Sequence, residues 1–253
     1  MRKLLFYVLV FSSLVMSLCD AHSAVLLHDD FNGSTAPSRY WHIPSCASRS
    51  DFIGRTRFQC TQDSPLPEAE NGNAIIALKS DNHARFDFCG TDLISNKPFI
   101  LGQGIRVTVR AKMNTTAPGM VGGIFLYSSR PGRTKVCDEI DFELLTDHPD
   151  KAHTNVYKSG GPANGDPQFV PYHPSGSIAG YHTYEIEWLP SRVSWLIDGH
   201  LVRTEKKYVP VGPMNVHLNL WAPGRQWAQA YSPDLTPVST ASPDKVFSMS
   251  IDS

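Results

Sequence analysis

The sequence predicts an all-β chain folded as a sandwich of antiparallel sheets. Three observations predict it. Apolar and polar residues alternate with a period of two through most of the chain, as in GIRVTVRAKM over 104–113. Glycine (18) and proline (19) are plentiful while charged residues make up only 19%, a mix that favours short elements joined by turns. No amphipathic helix longer than a turn or two can be drawn, so the strands have no crossover helices and must pair as hairpins and returns.

Taken in order, the chain opens with Arg2 and Lys3, the apolar run LLFYVLVFSSLVMSL and then CDAHSA. A basic start, an apolar stretch too short and Ser-interrupted for a membrane anchor, and small residues suited to cleavage describe a secretory signal peptide over 1–24, cut after Ala21 or Ala24. The expected product is a single domain over 25–253, secreted to the extracellular space or the periplasm. With 253 residues it can bury roughly 70–75% of the surface its unfolded form exposes. The formal net charge of −1 gives no footprint for nucleic acid or an anionic membrane, and a monomer free of the membrane after cleavage is expected.

Removing the leader leaves Cys46, Cys60, Cys89 and Cys137, an even number in an exported chain. Three disulfide pairings are open, as are free thiols. Cys46 with Cys60, closing one loop, is preferred and would leave Cys89 with Cys137. No cysteine or histidine spacing suggests zinc.

Strands are expected at 74–79, 83–88, 104–113, 121–128, 152–158, 182–189, 192–198 and 214–221. The Asp198-Gly199 step between WLID and HLVRT is a hairpin signal.

One further stretch, DEIDFELL over 138–145, breaks the pattern of mild alternation. On a strand, Ile140, Phe142 and Leu144 point to one face and Glu139, Asp141 and Glu143 to the other. An acidic alternation is most often a solvated charged edge, because charge networks form without function. A row of three carboxylates is also what glycoside hydrolysis needs. One acid attacks or activates water, a second stays protonated to serve the leaving oxygen, and crowding raises the pKa of one of them.

The surrounding sequence favours the second reading. DEIDFELL resembles the Glu-x-Asp-x-Glu catalytic strand of glycoside hydrolase family 16, in the short form of the lichenases and xyloglucan endotransglycosylases/hydrolases. GMVGGIFLYS (119–128) and HTNVYKSG (153–160) resemble the strands on either side of it. YHTYEIEWLPSRVSWLIDG (181–199), LNLWAPGRQW (218–227) and HDDFNG (28–33) resemble further blocks of that family, in matching order. The resemblance implies a β-jelly roll of two curved antiparallel sheets, concanavalin A-like, with a cleft across the concave face. It implies retaining double displacement on a β-linked glucan, with Glu139 as nucleophile, Asp141 as its assistant and Glu143 as general acid/base. The same residues would serve a transglycosylase, and a lectin-like binder on this fold would not need them.

For the rest of the cleft, Trp188, Trp221 and Trp227 are candidate platforms for sugar rings, Trp188 foremost because its block matches best. Trp195, between Val193 and Ile197, is assigned to the core. Asn155 and Tyr157 alternate on one face of the next strand and are candidates to bind sugar hydroxyls. Phe125 lines the cleft or the core, His153 is assigned to the surface, and His182 is a partner for Tyr184 or Trp188. Cys137 stands where lichenases usually carry tryptophan, which leaves the glucan open. No cofactor is required. The resemblance implies at most one structural calcium on the convex side, held by the N-terminal segment and an aspartate near the end, for which Asp252 is the candidate. VFSMSIDS (246–253) is read as ending where relatives continue with a closing strand.

Overall fold

The period of two becomes a two-layer sandwich in the computed structural model, which describes residues 24–32, 40–44, 52–58, 68–70, 72–80, 86–129, 137–159, 167–173, 175–237 and 247–252. Among the described residues the regular elements are all strands. The first seven are β1 (Trp41–His42), β2 (Phe52–Ile53), β3 (Thr56–Phe58), β4 (Glu68–Glu70), β5 (Asn73–Ser80), β6 (Phe88–Gly90) and β7 (Asp92–Ser95). The middle of the chain supplies β8 (Ile105–Met113), β9 (Val121–Ser129), β10 (Cys137–Leu145), β11 (Lys151–Tyr157) and β12 (Gln168–Pro171). Then follow β13 (His182–Leu189), β14 (Arg192–Ile197), β15 (His200–Glu205), β16 (Asn215–Trp221) and β17 (Phe247–Asp252).

One sheet has the order β1-β7-β16-β9-β10-β11-β12; the other runs β15-β14-β13-β8-β17-β5-β6-β3-β2, with β4 on β5. Pairing is antiparallel except for β3 with β6. The architecture is therefore the expected β-jelly roll. The β14–β15 hairpin turns at Asp198-Gly199, where both residues hold the positive φ such a turn requires (52° and 75°).

The two sheets meet through their apolar faces. From β10, Ile140, Phe142 and Leu144 are fully buried, and Phe142 meets Tyr184 of β13 edge-on at 5.3 Å between centroids. Tyr184, Ile186 and Trp188 fill the core from β13 while Glu185 and Glu187 stay outside with Arg106. Trp195 is buried as assigned. Its Nε1 donates across the core to the Asp141 carbonyl at 2.8 Å, and its ring lies 4.6 Å under the guanidinium of its cross-strand partner Arg203. Arg203 in turn donates to the Thr154 carbonyl at 2.6 Å and to its hydroxyl at 3.0 Å. The second sheet is thus fastened to the backbone of β10 and β11 in adjacent registers.

One expectation is corrected in part. Of the strand expected over 83–88, residues 83–85 lie outside the described residues, Phe86 and Asp87 are not strand, and β6 begins at Phe88. The amides of Asp87 and Phe88 both donate to the Arg55 carbonyl, and Arg55 takes the Asp87 carboxylate at 2.6 Å, which makes a turn of that approach. The segment 247–252 is itself a strand, inserted between β8 and β5 in the middle of its sheet. The leader up to residue 23, Cys46 and Cys60 lie outside the described residues, and so does the side chain of Cys137. Cys89 is buried on β6.

Candidate active site

Strand alternation puts the acids of β10 on the face turned away from the core, and register surrounds each of them. Glu139 lies between Tyr127 of β9 and Tyr157 of β11, Asp141 between Phe125 and Asn155, and Glu143 between Gly123 and His153. Glu139, Glu143, Phe125, Tyr127 and Tyr157 are half-buried, while Asp141 is sunk at 2% exposure in the floor between the two glutamates.

Both ends of β10 are anchored. At one end Asp138 points inward, where its two oxygens accept from the amides of Ser159 (2.8 Å) and Gly212 (3.1 Å). At the other end Asp147 accepts from the Gly119 amide at 2.7 Å and Thr146 bonds Met120 in both directions. The fourth acid of the motif is therefore structural.

Electrostatics separate the remaining acids. Burial, and then the nearby charge of Glu143, push the Glu139 carboxyl up to about 8, against a hydrogen bond from Asp141 that pulls it down. The Glu139 carboxyl therefore holds its proton well above the ordinary carboxylate range. A lone proton in a carboxylate pair is what acid-assisted displacement requires.

His153 is corrected from a surface to a site residue. It is 3% exposed, and its Nδ1 lies 2.8 Å from Glu143 Oε2. Its ring packs edge-on against Phe169 at 5.0 Å and tilted against Trp227 at 5.7 Å. Trp227 is half-buried and stacks on Trp221 at 5.6 Å, so this pair walls the Glu143 end of the row. Trp221 itself is 7% exposed and serves mainly as the backing of Trp227.

Trp188, the foremost sequence candidate, is not in the cleft. It is fully buried between Ile105 and Val193, and its Nε1 donates to the Pro210 carbonyl at 2.9 Å. The reason is its register with Tyr184 and Ile186, opposite to the charged positions of β13. Asn155 lies beside Asp141 on the cleft face but is 2% exposed, with its Oδ1 accepting from the Val156 amide at 2.8 Å. It lies in the floor of the site. His182 bonds Asp198 at 2.6 Å and packs on Tyr172 and Tyr184, away from the cleft.

The sequence reading missed Asn219. On β16 it shares the register row of Gly123 and Glu143, and a Cβ at Gly123 would collide with its Oδ1 and with the Phe125 ring. That oxygen is buried without a hydrogen-bond partner among the described residues. The signal available was the glycine opposite Glu143, which leaves the space that this amide occupies.

The sequence profile described as glycosyl hydrolases family 16 matches residues 54–236. A beta-glucanase of Bacillus amyloliquefaciens is 29% identical over 218 residues, covering 83% of this chain and 84% of that protein. The structure of a prokaryotic beta-1,3-1,4-glucanase (lichenase) from a mouse hindgut metagenome superposes with a TM-score of 0.69 at 21% identity, over 88% of this chain and 94% of that one. An endo-1,3-beta-glucanase (laminarinase) catalytic domain from Thermotoga petrophila RKU-1 gives 0.66 at 19% identity, over 88% and 93%.

Proposed function

Because the chain belongs to glycosyl hydrolase family 16, we propose that it is an exported, monomeric endo-glycosidase that cleaves a β-linked glucan by retaining double displacement. The observation that carries this reading is the row Glu139, Asp141 and Glu143 on one strand face, with Asp141 buried between two half-buried glutamates. Relatives named beta-glucanase, and folds solved as a lichenase and a laminarinase, support a glucan as the substrate class.

In this mechanism Glu139 attacks the anomeric carbon as a carboxylate, steadied by its hydrogen bond with Asp141. Glu143 delivers its proton to the departing glycosidic oxygen, and a glycosyl ester forms on Glu139. His153 donates from Nδ1 to Oε2 of Glu143, which leaves Oε1 to carry the proton towards the substrate. Glu143 then takes a proton from water, the water oxygen attacks the anomeric carbon, and Glu139 departs as a carboxylate. A transglycosylase replaces water by a sugar hydroxyl in that last step. Trp227, stacked on Trp221 at the Glu143 end, offers such an acceptor a ring face.

We also propose one structural calcium on the convex side, where the N-terminal segment meets the Gly72 turn. Asp252 pairs with Asn73 in register, and the adjacent Gly72 has a φ of 78°. A Cβ on Gly72 would lie 3.8 Å from the Asp30 carbonyl and 3.4 Å from Asn32 Oδ1, so the N-terminal segment, the Gly72 turn and Asp252 converge. Among the described residues no group of three or more His, Cys, Asp or Glu could hold a metal, so carbonyls must supply most ligands. The ion would tie the N-terminal segment to the sheet and take no part in bond cleavage.

The test is a panel of mixed-linkage glucan, laminarin, xyloglucan and chitin oligomers, followed for new reducing ends and for chain-length redistribution. New ends on one glucan, lost in Glu139→Gln by at least about 10³-fold, are expected. Glu143→Gln should cripple natural glucans far more than aryl glycosides, whose leaving groups need no proton. Redistribution without new ends would replace hydrolysis by transglycosylation, and near-normal turnover by Glu139→Gln would overturn the assignment.

A further inference from the structure

Trp227 walls the Glu143 end of the acid row, yet the segment that carries it, 222–235, belongs to no strand. Its tip is exposed at Arg225, Gln226 and Ala228, and its far end is buried at Ser232 and Leu235. Order comes to it from residues 54–56, at the entry to β3. The Arg55 amide donates to the Ala222 carbonyl at 2.9 Å, and the Ala222 amide donates to Thr56 Oγ1 at 2.8 Å. Gly54 holds a φ of 56°, and a Cβ there would lie 2.7 Å from the Ala222 carbonyl oxygen and 2.8 Å from the Gly224 nitrogen. The two backbones touch, and only glycine allows it.

The Arg55 side chain, 17% exposed, fastens the far end of the segment. Its Nη2 donates to the Leu235 carbonyl at 2.7 Å and its Nη1 to the Ser232 carbonyl at 3.5 Å. Nε keeps the Asp87 carboxylate at 2.6 Å, and the guanidinium carbon lies 5.1 Å from the Phe88 ring centroid and 5.6 Å from that of Tyr231. Tyr231 closes the connection, because its amide and that of Ala230 donate to the Trp227 carbonyl at 3.0 and 3.1 Å. The pair with Asp87, whose side chain is 45% exposed, contributes little by itself. What the guanidinium adds is a planar fork that serves an acid and two carbonyls together, which a lysine ammonium does not reproduce. Contacts therefore run from Arg55 through Tyr231 to Trp227, whose ring packs on His153 beside Glu143.

We propose that Arg55 is a positioning residue for the cleft: by clamping the 222–235 segment it holds the Trp227 ring in place at the Glu143 end of the acid row. Arg55 touches neither substrate nor acid, and its effect on turnover passes through Trp227. The kinetic half of the proposal rests on the glucanase reading above, while the placement of the ring does not. A ring face that meets the sugar before and during reaction contributes uniform binding, so its misplacement falls on KM.

The experiment pairs NMR of the indole N–H groups with a double-mutant cycle, well below the melting temperature of every variant. The Trp227 signal is assigned by its loss in Trp227→Phe. In Arg55→Met the signals of Trp227 and Trp221 should move, while those of Trp188 and Trp195, in the opposite layer, stay. Arg55→Met should raise KM for the cleaved glucan about three- to tenfold, the range of one lost contact, with kcat little changed. In a Trp227→Ala background the same substitution should leave KM where it is, because the ring it positions is gone. Arg55→Lys keeps the charge beside Asp87 and loses the fork, so it should match Arg55→Met in KM while melting higher; it also carries the comparison where Arg55→Met does not fold. A Trp227 signal unmoved by either substitution, or KM effects of Arg55 and Trp227 that simply multiply, would overturn the clamp while the glucanase reading stands. A Trp227 signal that moves in a protein cleaving no glucan would keep the clamp and overturn the glucanase reading. Failure of both readouts would overturn both.

Discussion

At the scale of single residues, Glu139 is held in conflict with its surroundings. It must be a carboxylate to attack, yet burial and Glu143 push its titration up to about 8. The active form has one proton on the pair, and that proton is lost on the alkaline side. A pH profile of kcat/KM should therefore fall above about pH 8, as a property of the pair rather than of one glutamate. The same shift bears on stability. The unfolded chain releases this proton near 4.5, whereas the folded chain keeps it to about 8. The contribution is complete below the lower value and is lost as pH rises through the upper one. Glu139→Gln should accordingly gain stability relative to the parent as pH rises across that window. A relative Tm that rises with pH across that window is expected in thermal melts, and a difference that does not vary with pH would contradict it. The acid row was legible because alternation alone puts 139, 141 and 143 on one face. His153 was not legible, since nothing within β11 tells which carboxylate on a neighbouring strand it will meet.

At the scale of elements, β10 and β11 are set from behind as well as from within their sheet. Trp195 and Arg203 of the opposite layer bond the carbonyls of Asp141 and Thr154. Trp195→Phe keeps an aromatic ring but removes the N–H and part of the indole volume from a fully buried position. It is expected to cost about 1–3 kcal/mol of stability and to lower kcat severalfold through looser placement of the row. Melts together with initial rates check this, and a stability loss with unchanged kcat would confine Trp195 to packing. Most long strands could be read from period two. The short ones (β1, β2, β3, β4, β7 and β12) could not, because two to four residues cannot display a period. Trp188 shows the other failure. A matching block suggested a cleft tryptophan, but the charged Glu185 and Glu187 beside it already marked the outer face, which forces Tyr184, Ile186 and Trp188 inward.

At the scale of the whole molecule, the sandwich separates labour between its layers. The seven-stranded sheet carries the acid row on its outer face, and the ten-stranded sheet supplies most of the large core side chains. Calcium, if held where Asp30, Gly72 and Asp252 converge, should act on stability and not on the acid row. Chelation should lower Tm, and saturation at about 100 times Kd should return roughly 2.7 kcal/mol. The kcat measured at a temperature well below the melt should not change. An ion that altered kcat without altering Tm would have to bind elsewhere.

The central position of β17 has a consequence for how the chain reaches this state. Phe247 pairs with Leu78 and Met249 with Met113, so the middle of the larger sheet joins segments that synthesis separates widely. Until 247–252 docks, β5 and β8 are bare edges, each able to recruit a strand from another molecule. Folding of this sheet must wait on a distant loop closure, which makes it slow for its size. Export, as proposed above, would gain from that delay, because a polypeptide that cannot close its sheet early is still threadable when it meets a membrane.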